Sequence, residues 1–169
     1  MVQEMRESYV VVAMEDELQL EMSRIFLNLG AKPIVTGVGG TNVIRALKDL
    51  PKDALIHNIG YAGSAYYPVG AVRQIGHSRL FHPNVEFDEQ TFRLAGPGDD
   101  VCLTAGDFVL RPKGLPEKAI VDMELAYICA LGFESVIAFK YISDNLSLEQ
   151  YEKKDVAGYI ILQSRTVQC

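Results

Sequence analysis

The chain has 169 residues, 49% of them hydrophobic, and a formal net charge of −6. That length carries one α/β domain with a sizeable core, here expected over 1–169. The acidic balance excludes a phosphate-backbone partner, because nucleic-acid binding needs a basic surface; a neutral nucleoside remains compatible.

Ser8 to Met14 reads as a buried strand, continuous and β-branched. Glu15 to Leu29 follows with apolar residues near helical spacing, stopped by Gly30. Lys32 to Thr36 is a second short strand, and Gly37-Val38-Gly39-Gly40 is a turn. Thr41 to Leu50 reads as a helix with Thr41 as its N-cap and Pro51 as its stop. Ala54 to Ile59 is a third strand entering Gly60-Tyr61-Ala62-Gly63. This alternation predicts helices packed on a sheet.

The middle is less regular. Ala71 to Leu80 reads as one or two strands, Pro83 to Asp100 as loop with a short extended piece, and Val101 to Leu110 as a strand. Asp122 to Leu131 is a helix with Gly132 past its end, Ser135 to Ser143 a strand, and Ser147 to Ser164 the last helix. The first apolar run is too short to cross a membrane, and no targeting segment is visible, so a cytoplasmic protein with no membrane partner is expected. Cys102, Cys129 and Cys169 are odd in number without a CxxC and read as reduced thiols. His57, His77 and His82 lack metal-site spacing, so no metal is expected. The Gly37 to Gly40 loop lacks both the third glycine of GxGxxG and the GK[ST] of a phosphate loop, which argues against a dinucleotide.

Two acidic segments stand out. Val121-Asp122-Met123-Glu124 opens an apolar helix-like stretch, and Lys140-Tyr141-Ile142-Ser143-Asp144 ends an apolar strand. A strand ending in an acid beside a helix starting with one puts carboxylates at one rim of a sheet, where open α/β sheets place ligands. Each acid also has a plain structural explanation. Asp144 suits an N-cap, while Glu17 and Glu124 suit first-turn positions favoured by the helix dipole. Met123 and Phe108 suit a core.

Read together, these segments resemble the nucleoside phosphorylase/nucleosidase superfamily, nearest to methylthioadenosine/S-adenosylhomocysteine nucleosidases. Ala13-Met14-Glu15-Asp16-Glu17 resembles that family's "AMEEE", and Thr36-Gly37-Val38-Gly39 its "SGIGK". Asn58-Ile59-Gly60-Tyr61-Ala62-Gly63 resembles "NTGSAGG", and Thr104 to Val109 resembles "SGDAFI". With "VDME" and "ISD", they follow the family's order over most of the chain.

The resemblance implies a single α/β domain with a mixed central β-sheet flanked by helices. It implies hydrolysis of the N-glycosidic bond of a purine nucleoside, adenine in particular, such as methylthioadenosine or S-adenosylhomocysteine in methionine salvage. A homodimer and no cofactor go with it. Asp144 would protonate the leaving base and Glu17 would activate water, an acid and a base on opposite sides of the sugar. Glu124 would hold the ribose hydroxyls, with Met123 and Met14 against the nucleoside. Phe108 would stack on the base, and the backbone of Val109 would read its edge.

Three departures qualify the match. Lys140 stands where the family carries arginine beside the water and the acid, and loses the guanidinium fork. Tyr61 replaces a serine on the nucleophile side, and Ser64 a glycine. The stretch from Pro83 to Val101 reads as reduced, which bears on the 5′ end of the pocket; Leu148 is the candidate for its apolar wall. The alternatives are a nucleoside-binding protein without catalysis, and a purine nucleoside phosphorylase.

Overall fold

The computed structural model describes residues 5–81, 91–106 and 115–147. Phe108, Val109 and Leu148, and all of the expected last helix past Ser147, lie outside the described residues.

Among the described residues, eight strands form one mixed sheet. β1 (Ser8–Val12) is flanked in parallel by β2 (Lys32–Val35) and β3 (Leu55–Gly63). β4 (Val72–Phe81) carries the two-residue β5 (Phe92–Arg93) and runs parallel to β6 (Asp100–Ala105). β6 pairs in parallel with β7 (Ile120–Asp122), and β7 meets β3 antiparallel at Gly63 and Val121. β8 (Ser135–Asp144) lies parallel to β3 and antiparallel to β4. The pairings β3–β7–β6–β4–β8–β3 therefore close on themselves, and β1 and β2 extend from this ring as an open parallel wing.

Closure explains why β8 is so regularly patterned. Val136, Ala138 and Ile142 enter the main core, which takes in Val43 and Leu47 of α2 (Gly40–Leu47) and Leu125 and Ile128 of α3 (Leu125–Ala130). Phe139 and Tyr141 face the other side and pack with Met22 and Phe26 of α1 (Glu21–Asn28) around Val10, Val12 and Ile59. Period-two alternation with both faces covered is what a central strand requires. No helix among the described residues is long and apolar enough to cross a membrane.

Several boundaries differ from the sequence reading. Glu15 to Leu29 is not one helix: a 3-10 turn, Glu15–Gln19, precedes α1, and Leu20 between them is extended (φ −61°, ψ 145°). The cap of α2 is Gly39, not Thr41. β3 runs through Gly60 to Gly63 rather than stopping at Ile59, because β8 pairs with it over that stretch. Ala71 to Leu80 is a single strand shifted by one residue. Residues 120–122 form β7, so the helix expected from Asp122 begins only at Leu125.

Candidate active site

The parallel strands β1, β2, β3 and β8 all point their C-terminal ends toward one rim, and the buried charges gather there. The chain leaves β1 through Ala13 and Met14 and folds back in the 3-10 turn. That turn swings Glu17 inward while Glu15 and Asp16 stay exposed. Glu17 is 3% exposed. Its Oε1 accepts the Ala13 and Met14 amides at 3.0 and 2.8 Å, and its Oε2 accepts the Tyr61 amide at 2.8 Å. The Glu17 amide returns a 3.1 Å bond to the Met14 carbonyl. Burial pushes the Glu17 carboxyl above the usual range, while the amides and the charge of Lys140 pull the other way.

Gly60 makes room for this carboxylate. A Cβ there would stand 2.7 Å from Glu17 Oε2 and 3.7 Å from Lys140 Nζ, so acid and ammonium share the space a side chain would fill. Tyr61, next on β3, is 38% exposed at the mouth. Its phenol is held above its ordinary pKa by partial burial and then by the charges of Asp16 and Glu17.

Lys140 is 1% exposed, and its Nζ lies 2.8 Å from Asp122 Oδ2. Asp122 also accepts the Thr104 hydroxyl at 2.6 Å and the Leu125 amide at 2.9 Å, and Thr104 Oγ1 accepts the Ala126 amide at 2.9 Å. Burial acts to raise the Asp122 carboxyl, but Lys140 and these donors outweigh it and the net shift is downward. Burial acts against the Lys140 ammonium, and Asp122 foremost reverses that, raising it. The family resemblance puts Lys140 where an arginine helps hold the water and the catalytic acid. Here its ammonium is paired with Asp122, with Glu17 as a neighbouring charge. Asp122 was not singled out from the sequence; the signal was present, as the first acid of Val121-Asp122-Met123-Glu124.

Glu124, 9% exposed, flanks α3 and accepts the Gly39 amide on Oε2 at 2.9 Å. Burial, and then the charge of Asp122, push its carboxyl up to about 8. Lys140 and Glu17 also act on it electrostatically, which places Glu17, Asp122, Glu124 and Lys140 within one field. Met123 beside Glu124 and Met14 beside Glu17 are half-buried.

Asp144, 5% exposed, ends β8. Its Oδ1 accepts the Leu146 amide at 3.0 Å, and its Oδ2 the Ser143 hydroxyl at 3.2 Å. It leans on Gly63, where a Cβ would stand 2.6 Å from Oδ1. Glu17 and Asp144 thus each lean on a glycine in the C-terminal half of β3, at Gly60 and Gly63. Among the described residues, no three His, Cys, Asp or Glu side chains are grouped to hold a metal ion.

No protein-family profile and no curated protein matches the chain. Solved structures do. MTAN of Chlamydia trachomatis bound to MTA is similar with a TM-score of 0.70 and 16% identity, over 95% of this chain and 93% of that one. An S-adenosylhomocysteine nucleosidase of Streptococcus pyogenes in complex with 5-methylthiotubericidin is similar with a TM-score of 0.68 and 16% identity, over 99% and 95%. A futalosine hydrolase mutant of Helicobacter pylori is similar with a TM-score of 0.66 and 12% identity, over 98% and 100%. These likenesses span nearly the whole of both chains: the chain has the fold of the nucleoside phosphorylase/nucleosidase superfamily.

Proposed function

We propose that this chain hydrolyses the N-glycosidic bond of a purine nucleoside, an adenine nucleoside such as methylthioadenosine or S-adenosylhomocysteine, releasing the free base. The observation that supports this reading is the burial of three acids, Glu17 against the Tyr61 amide, Asp144 against Gly63 and Glu124 against the Gly39 amide.

The acid and base roles are those the family resemblance implies. Asp144 donates its proton to a ring nitrogen of the leaving base, since a purine anion leaves poorly. Glu17 takes a proton from water as the water oxygen bonds to the anomeric carbon and the C–N bond breaks. Its three amide donors hold the carboxylate in one orientation, and burial keeps it basic enough to accept. Glu124, with a pKa of about 8, carries a proton at neutrality, so it offers a donor and acceptors to a vicinal diol. Met123 and Met14 would pack along the sugar; Phe108 and Val109 keep their proposed place at the base on sequence likeness alone. Lys140, held by Asp122, sets the local charge rather than binding substrate by a fork.

The test is to incubate the protein with methylthioadenosine, S-adenosylhomocysteine, adenosine and inosine and to follow free base. Asp144→Asn and Glu17→Gln should each lower turnover about 10²-fold or more. Wild-type-like release by Asp144→Asn removes that residue from the mechanism. The engagement of Lys140 with Asp122 favours one rival, binding without cleavage. Tight nucleoside binding with no base released over hours would establish it.

A further inference from the structure

Leu146 is the one non-glycine residue with a positive φ (61°) among those described. L side chains rarely enter this left-handed region, and a bulky Leu does so only when its surroundings hold it there. The surroundings are visible. Leu146 is 4% exposed and packs with Leu103, Ala105, Ala119 and Val121. Its side chain also presses against the open face of Gly63, into space a Cβ would occupy. On its far side it walls a cavity of about 290 Å³ lined by Ala65, Tyr66, Leu115, Pro116 and Glu117 among others. The same residue donates its amide to Oδ1 of Asp144, 3.0 Å away, so the buried side chain and the carboxyl group meet on one residue.

We propose that Leu146 is a positioning residue for Asp144: its buried side chain pins a left-handed turn whose amide fixes one oxygen of the carboxyl group. This rests on the reading of Asp144 as the acid. Polar capping of a turn would call for Asn or Gly at such a φ. A leucine there makes the orientation of the acid depend on packing in the cluster beneath it.

The experiment is amide hydrogen exchange together with steady-state kinetics on Leu146→Ala and Leu146→Met. The Ala variant keeps the unfavourable φ and loses the anchor; the Met variant keeps an apolar anchor of similar volume. In Leu146→Ala the residue-146 amide should exchange about tenfold faster or more, with the Ile142 amide, bonded to the Ala71 carbonyl at 2.9 Å, unchanged. Base release should show kcat lowered about tenfold or more with KM within about twofold, the pattern of a misplaced group rather than lost binding. Leu146→Met should restore both. Unchanged residue-146 exchange in the Ala variant overturns the proposal, as does equal loosening at Ile142, which would mean general destabilisation. If the wild type releases no base, the hydrolase reading fails and the exchange measurement still decides whether Leu146 holds the turn.

Discussion

Glu124 carries a proton that its exposed counterpart would have lost. Its carboxyl, at about 8 rather than the ordinary 4.5, is raised by burial and by Asp122. The folded protein therefore binds more protons here than the unfolded chain between those two values, and stability must fall as pH rises through that window. The contribution is complete below the unfolded pKa and lost above the folded one. Glu124→Gln keeps an acceptor for the Gly39 amide and has no proton to lose. Urea unfolding of both proteins across about pH 5 to 9 should show the variant gaining on the wild type steadily up to about pH 8. A constant difference would mean that Glu124 titrates normally. Gly60 tests the opposite acid. Gly60→Ala sets a methyl group 2.7 Å from Glu17 Oε2, so the carboxylate must leave the Tyr61 amide. Turnover should fall about 10²-fold, as for loss of a general base, while thermal unfolding shows the sheet intact. The motif reading singles out Glu17, Glu124 and Asp144, but it does not show which oxygen meets which amide. Those bonds come from residues 44 and 85 positions away, Tyr61 for Glu17 and Gly39 for Glu124.

Between elements, Asp122 is the knot. It joins β7 to β8 through Lys140, to β6 through Thr104 and to the start of α3 through the Leu125 amide. Removing one partner of a fully buried ion pair leaves an uncompensated charge. Asp122→Asn should therefore destabilise the protein by about 3–5 kcal/mol in denaturant unfolding. The double variant Asp122→Asn, Lys140→Met removes the stranded ammonium and should recover a large part of that loss. Additive losses would mean that the two charges are not coupled. The same knot explains where sequence patterning failed. Val121-Asp122 reads as the opening of an apolar helix, because a three-residue strand, Ile120–Asp122, is too short to show a period. The 3-10 turn failed for a related reason. Glu15 to Leu29 has helical spacing, yet Glu17 turns inward to collect three amides, and the helix restarts after Leu20. The long strand β8, the first half of β3, and the Gly30 and Gly132 stops were legible because each rests on local chemistry. Closure of the ring was not, since it depends on which edges meet.

At the scale of the molecule, the proposed use of water rests on what the strands bring to the rim. The open wing of β1 and β2 brings Glu17 and Gly39 to the rim, and β3 and β8 bring Tyr61, Lys140 and Asp144. A phosphate nucleophile would need cationic forks or free amides on the Glu17 side. There the Ala13, Met14 and Tyr61 amides already serve Glu17, and the buried ammonium of Lys140 already serves Asp122. A dianion entering would meet a buried carboxylate with its nearest cation committed elsewhere, an unfavourable encounter at short range. Water meets no such opposition and gains an acceptor. Base release should therefore run at the same rate with phosphate present or absent, and the sugar product should be the free ribose derivative. Phosphorus NMR of the reaction mixture checks this directly, because phosphorolysis would leave a sugar 1-phosphate signal growing in step with the base. Such a signal, or a rate that rises with phosphate, would mean that Glu17 or Lys140 rearranges when ligand binds, and Glu17 could no longer be the base.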